Sequence, residues 1–358
     1  MKRRHFQLAL ASLLTSSATP SRASEFAPVR AGHKLVFPAD HGAHPQFRTE
    51  WWYVTGWLSR SAGAALGFQC TFFRIRTGIG EESASAFAPR QLLMAHAAIA
   101  DPQLGRLRHD QRAARAGFGR AGFAENSTRV WIGDWRLEQK GDAYLAGVNG
   151  TDFGYSLALQ PDGPPLLNGT DGFSLKGPDG HHASYYYSRP QLAVRGTVTL
   201  AGHTEGVTGR AWLDHEWSSA LLPPSAQGWD WVGLNLDDGG ALMAFRMRGV
   251  NEKALWSAAT IRTAAGGEHK PVHDEVVFEP LRHWTSTRTG LTYPVEWMLR
   301  LGPRQFHLSA MLDDQELDSR RTTGAVYWEG AVRVLEGQSE IGRGYLELTG
   351  YGEKIRVG

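Results

Sequence analysis

The sequence predicts an all-β chain folded into two antiparallel barrel-like halves, and three observations carry that prediction. Period-two patterns dominate from Trp51 onward, with no sustained 3.6-residue repeat. Turn residues, drawn from 42 Gly and 17 Pro among others, punctuate the chain at short intervals. At 358 residues the chain is also longer than one hydrophobic core usually serves, so two packed units are expected.

The elements follow in order. Residues 1–23 read as an export signal: Lys2-Arg3-Arg4 is a positive start, 6–14 a short apolar run, and Ser21-Arg22-Ala23 a small-x-small cleavage site. Arg3-Arg4-His5-Phe6 also resembles a twin-arginine signal, with general secretion the alternative. No Cys follows the apolar run, so no lipid anchor is expected, and no later stretch reaches the roughly 18 consecutive apolar residues that span a bilayer. The mature chain is therefore expected to be soluble and exported, periplasmic or secreted.

Stretches 51–58 and 66–76 flank Arg60-Ser61-Ala62-Gly63 and read as a hairpin. Stretches 144–148 and 152–159 flank Asn149-Gly150, the strongest short hairpin signal. Within the latter, Phe153, Tyr155, Leu157 and Leu159 share one face, as in a strand with one buried side. A Pro- and Gly-rich loop at 161–180 separates these strands from a second set starting near Ala183. That set continues at 192–200, 207–214, 228–236, 241–248, 255–262, 295–301, 306–312, 327–335 and 344–351, with a turn at Asp237-Asp238-Gly239-Gly240. So many short strands suffice for two barrels, an N-terminal one over 30–180 and a C-terminal one over 181–358.

Composition narrows the function. Net charge is +2 with no Lys/Arg run beyond the N-terminus, so no nucleic-acid partner is expected. The single cysteine, Cys70, lies in an apolar run and reads as a small buried hydrophobe. No Gly-x-Ser-x-Gly elbow and no Gly-x-Gly-x-x-Gly turn is present, so neither a serine nucleophile nor a dinucleotide cofactor is indicated. Fourteen histidines include His41-Gly42-Ala43-His44 and His181-His182, but neither has the spacing of a defined zinc motif, and no metal or other cofactor is expected.

What stands out is acid embedded in tryptophan: Glu50-Trp51-Trp52-Tyr53, Trp212-Leu213-Asp214-His215-Glu216-Trp217 and Trp229-Asp230-Trp231. Alternation puts Trp212, Asp214 and Glu216 on one face of a strand and Leu213, His215 and Trp217 on the other. If that first face is buried, one of the two acids should hold a proton near neutrality, as a general acid must. The alternative is that both pair with Arg210, another cation, or Trp and Tyr donors and stitch strands together. Glu50 has the same two readings, an ion-paired residue at the strand entrance or a pocket acid walled by aromatic rings.

These residues also carry a resemblance. The run from His44 to Gly56, Tyr185-Tyr186-Tyr187-Ser188-Arg189-Pro190, the run from Gly209 to Trp217, Gly228-Trp229-Asp230-Trp231, Tyr327-Trp328-Glu329-Gly330 and the run from Gly344 to Tyr351 resemble the AttH-like family. That family includes carotenoid 1,2-hydratases of the CrtC type and proteins labelled predicted secreted hydrolases. The resemblance spans about residue 30 to the end. It implies two lipocalin-like β-barrel domains in tandem, with an apolar ligand pocket in or between them. Similar proteins hydrate an isolated carotenoid alkene or fold a polyene for cyclisation. His215 and Trp217 match positions that resemble hydratase site residues. Ala244-Phe245-Arg246 occupies the region where those hydratases carry a further Asp.

The expected site thus has Asp214, His215, Glu216 and Asp230 as candidate catalytic groups. Glu50, Trp51, Trp52, Tyr53, Tyr186, Trp217, Trp229 and Trp231 are the candidate ligand contacts. The leading expectation is a protein that encloses an apolar polyene- or lipid-like molecule and protonates it. The alternatives are a non-enzymatic periplasmic lipid carrier serving a membrane-export machine, and a secreted hydrolase.

Overall fold

The computed structural model describes residues 26–355. The export signal expected over 1–23 lies outside the described residues. Among the described residues every regular element is a strand apart from three single-turn 3₁₀ segments, and the strand pairs are antiparallel. Among the described residues no helix is long and apolar enough to cross a membrane.

The strands form two sheets. In the first, Thr49–Arg60 is central, paired on one side with Leu66–Arg76, then Gln91–Asp101 and Arg106–Arg115. On its other side come His203–Ala220, Ala183–Leu200, Phe153–Gln160 and Ala143–Asn149. The path ends with three shorter strands, Trp135–Lys140, Arg129–Ile132 and Ala121–Phe123. The second sheet is centred on Gly228–Leu236 and Ser339–Leu348. Each curls until strands near its two ends touch: Arg106–Arg115 meets Arg129–Ile132 in the first, and Ala254–Arg262 meets Val276–Thr285 in the second. The architecture is the lipocalin-like pair of β-barrels that the sequence predicts.

Both expected hairpins are present, with Gly56 opposite Phe68 in the first and Val148 opposite Tyr155 in the second. The change of sheet comes later than expected. Residues 183–200 and 203–220 belong to the first sheet, so the chain crosses over at 221–227 and not at 180/181. The Pro/Gly-rich stretch at 161–180 misleads because it is an excursion that returns to its own sheet, laying Leu166–Leu167 and Phe173–Leu175 along the Ala183–Leu200 strand. Strands between 76 and 144 also lack a sequence signal. Gln91–Asp101 is built largely of Ala and Leu, and Arg106–Arg115 is mostly charged and polar, so neither has the β-branched alternation that marks a strand.

Alternation sorts side chains into three large cores and a small fourth one around Ala98, Ala100, Leu107, Leu317 and Tyr327. Trp52, Val54 and Leu58 point into the first barrel with Phe68, Cys70, Phe72 and Trp217. Val232, Leu234, Trp297, Trp328 and Leu346 fill the second. The opposite face of the Thr49–Arg60 strand carries Tyr53 and Trp57, which with Tyr186 and Trp212 pack against Trp231, Met243, Phe245 and Tyr345 of the second barrel. The seam is therefore a third apolar core, tied by Trp57 Nε1 donating to the Gly344 carbonyl at 3.0 Å.

Gly67 lets the barrels meet this closely. A Cβ there would lie 2.7 Å from Ala331 Cβ and 2.8 Å from the Tyr345 hydroxyl. Replacement of Gly67 by Val is expected to destabilise the protein by about 1–3 kcal/mol through overpacking, read as a lower denaturation midpoint at unchanged slope.

Candidate functional site

A cavity of about 320 Å³ lies in the seam between the barrels rather than inside either. Its first-barrel wall comes from outward-facing residues of three adjacent strands, including Trp51, Tyr53, Phe73, Ile75, Leu92 and Met94. Trp229, Trp231, Phe245 and Met247 form the wall across from it. Tyr186, Asp214 and Glu216 come from the neighbouring strands of the first sheet. Seven of the expected residues thus converge here: Trp51, Tyr53, Tyr186, Asp214, Glu216, Trp229 and Trp231.

Asp214 is buried and held by three donors, Tyr186 OH at 2.6 Å, Ser188 Oγ at 2.5 Å and Trp212 Nε1 at 2.7 Å. Burial outweighs these bonds and, with the charge of Glu216, pushes its carboxyl up to about 7. Trp231 Nε1 donates to the Tyr186 hydroxyl at 2.9 Å, so a ring from the second barrel completes the set. Glu216 is committed elsewhere: Lys176 Nζ lies 2.9 Å away, and Ser184 Oγ donates to it at 2.5 Å. The Lys176 ammonium rests over the Phe245 ring at 4.2 Å and the Tyr186 ring at 4.8 Å.

Two further acids complete the wall. Glu329 and Glu347 are register partners on adjacent strands, where like charges directly opposite repel. Burial pushes Glu347 up to about 8, with the charges of Asp214 and Glu216 adding to it. Burial and the charge of Glu347 drive Glu329 well above the usual carboxylate range. Tyr53 and Gln69 approach Glu329, yet the Tyr53 hydroxyl and Glu329 Oε1 make no hydrogen bond among the described residues. Buried polar atoms so placed on a cavity wall are where a ligand group or water would bond. Neither Glu329 nor Glu347 was a candidate, because nothing local shows that strands 18 residues apart bring them opposite each other.

The remaining expected residues are elsewhere. Glu50, Trp52, His215 and Trp217 point into the first barrel, opposite to the cavity. The Glu50 carboxylate, fully buried, accepts from Arg74 Nε at 2.7 Å, from the backbone N–H of His44 at 3.0 Å, and bonds His44 Nδ1 at 2.8 Å and His215 Nε2 at 2.9 Å. Burial would raise it, but Arg74 and the two histidines hold it well below the usual range. His44 also meets Asp40 at 3.2 Å and stacks on Trp217 with centroids 3.7 Å apart. Burial disfavours its charge, and the two carboxylates outweigh burial and raise it. His215, whose Nδ1 meets the Tyr187 hydroxyl at 3.1 Å, is lowered by burial.

His44, Glu50 and His215 are also the group of ligand atoms among the described residues that could hold a metal ion. Without an ion, Arg74 already faces Glu50, and the Asp40 and Glu50 carboxylates favour the charged form of His44. A divalent cation would add uncompensated positive charge beside the Arg74 guanidinium, so the set fits an ion poorly. Asp230 lies in the second barrel, bound by Arg246 at 2.6 Å, Arg248 at 3.0 Å and the Tyr351 hydroxyl at 2.9 Å. It is an ion-paired core residue, away from the cavity.

Two stability predictions follow from these opposite environments. Glu50→Gln leaves Arg74 and His44 without their counter-charge and should cost about 3–5 kcal/mol, measured by denaturant unfolding. Glu347→Gln should do the reverse. The folded carboxyl binds its proton more tightly than the unfolded one, so stability falls as pH rises from the ordinary value of 4.5 through about 8. Removing the group should raise the melting temperature above pH 8, with the gain fading at acid pH.

Comparison with known proteins agrees with this architecture. The model of the AttH-like family matches residues 28–351. A crystal structure of a protein described as AttH from Nitrosomonas europaea is 48% identical, covering 91% of this chain and all of that one, with a TM-score of 0.86. Kievitone hydratase from Nectria haematococca shares the fold at 15% identity and a TM-score of 0.68, over 92% of this chain and 97% of its own. CghA does so at 13% identity and a TM-score of 0.51, over 85% and 88%. No curated protein matches the sequence. With the family model spanning nearly all of the described residues, the chain belongs to the AttH-like family.

Proposed function

We propose that the protein encloses a compact, largely apolar molecule between its barrels and protonates it at a carbon–carbon double bond, as in alkene hydration or a proton-started cyclisation. One observation carries the reading: Asp214 and Glu347 hold carboxyls pushed up to about 7 and about 8 on the wall of a predominantly aromatic and aliphatic cavity. Glu347 retains some accessible surface there and is protonated at neutral pH, which suits it to donate. Asp214 is held by three donors that support its ionised form, which suits it to receive a proton from water. The faces of Trp51, Trp229, Trp231 and Phe245 would stabilise the cation between the two steps. The Tyr53 hydroxyl and Glu329 Oε1 supply bonding positions for the water or a polar group of the ligand.

Hydration is the activity in the name of the kievitone hydratase, and likeness of architecture supports carrying it here together with the acid chemistry. At about 320 Å³ the cavity is at the small end of ligand sites, which favours a compact ligand over a full-length carotenoid. From the N-terminal signal alone we infer that the protein acts after export, in the periplasm or outside the cell.

The test is incubation of the wild type with a panel of compact apolar alkenes in isotopically labelled water, followed by mass spectrometry. Label uptake should fall by about 10²–10⁴-fold in Glu347→Gln and in Asp214→Asn, with binding retained. The rate should decline as pH rises through about 8. A native ligand that co-purifies and is recovered unchanged, with no label in any alkene, would favour the carrier.

A further inference from the structure

The cavity is polar where it is deepest and apolar where it opens. Strand pairing sets Asp214, Tyr53, Thr71 and His96 side by side across adjacent strands of the first sheet. All of them are buried, and His96 ends the row with its Nδ1 2.7 Å from the Tyr327 hydroxyl of the second sheet. Glu329, also buried, is the acid that the second sheet adds to this floor. Two residues along the same strands come Trp51, Phe73 and Met94, and after them Ile75 and Leu92. These are apolar and only half-buried, as is Trp229 of the second barrel. In the other direction, past Tyr53, Trp57, Ala331 and Tyr345 pack the seam shut. A polar floor therefore lies beneath an apolar mouth.

The floor holds bonding capacity that the protein leaves unused. Among the described residues the Tyr53 hydroxyl, Glu329 Oε1 and Gln69 Oε1 have no hydrogen-bond partner, although Tyr53 and Gln69 both approach the Glu329 carboxyl. Buried polar atoms are nearly always paired, so three orphans together at the end of a cavity mark the place of a group from outside. A hydroxyl can accept from Tyr53 and donate to Glu329 at once, whereas a carbonyl or ether only accepts and a hydrocarbon does neither. A wholly apolar guest pressed onto the floor would strip these atoms of water and leave them unsatisfied. Burial holds Glu329 and Glu347 protonated, so the floor offers an ammonium head little charge, and Lys176, paired with Glu216, offers an anion none to spare.

We propose that the guest is a compact alkenol that enters head first, its hydroxyl accepting from Tyr53 and donating to Glu329 Oε1, its carbon chain lying along Trp51, Phe73 and Trp229 toward the mouth. This rests on the reading that the cavity takes up an unsaturated guest, and it adds the head group and the direction of entry. Glu347, the register partner of Glu329, then meets the guest close to its head. Tyr53 acts as a specificity residue and gives no proton to the alkene.

The test compares binding in matched sets, read by tryptophan fluorescence. Each set holds a compact alkenol, citronellol among them, the hydrocarbon lacking only its hydroxyl, and the amine carrying an ammonium in its place. The alkenol should bind about 10–100-fold more tightly than its hydrocarbon. Tyr53→Phe removes an oxygen that has no partner in the protein, so it should leave the melting temperature unchanged and erase most of the preference by weakening the alkenol alone. Equal binding within every set, tighter binding of the amines, or a preference that survives Tyr53→Phe overturns the proposal. A preference that Tyr53→Phe abolishes, with no label taken up by any bound alkenol, upholds head-first binding and overturns the protonation reading instead.

Discussion

Glu50 holds the molecule in register. Its buried carboxylate gathers donors from the segment before its own strand, from Arg74 on one neighbouring strand and from His215 on the other. A slip of one residue in either pairing would turn every side chain of that strand over. Glu50 would then face the seam, and Asp214 or its neighbours would enter the first barrel. The polar network in that barrel thus fixes which residues look into the cavity, although none of its members lines it. The Trp52 ring stacked on His215 and the Trp217 ring stacked on His44 brace the same arrangement.

Carboxyls out of water behave in opposite ways inside the first barrel and at the seam. Glu50 meets a guanidinium and two imidazoles, and burial loses to their charge. Asp214 meets hydroxyls and an indole, and burial raises it only to about 7; Glu347 meets other acids and is raised to about 8, so at neutral pH its proton stays. Lys176 is a cation of the cavity wall, and its 2.9 Å pairing with Glu216 leaves Asp214 and Glu347 uncompensated. Acids kept neutral in apolar surroundings are costly to fold around, which is the mark of a functional site rather than a structural one. Asp230 has the structural pattern, a carboxylate met by two arginines and a tyrosine.

Much of this was legible in the sequence, and the reason is the period of two. Alternation alone separated Asp214 and Glu216 from His215 and Trp217, and the barrels follow from repeated short strands. Alternation cannot say which face meets which partner. The match of His215 and Trp217 to hydratase positions therefore pointed to residues inside a barrel, whereas the cavity is between barrels. The Glu329/Glu347 pairing depends on the register of two strands, and the link from His96 to Tyr327 joins different sheets, so neither leaves a local trace. The Pro/Gly stretch at 161–180 misplaced the change of sheet because turn composition marks a break in a strand, not the end of a barrel.

The central claim is that the seam cavity keeps carboxylic acids neutral at physiological pH. Carbon-13 NMR titration of the glutamate side-chain carboxyls, with Glu347 assigned by its loss in Glu347→Gln, measures this directly. The account predicts that the Glu347 resonance titrates near pH 8, about where burial and its acidic neighbours place it. A Glu347 carboxyl already ionised at pH 6 would contradict it.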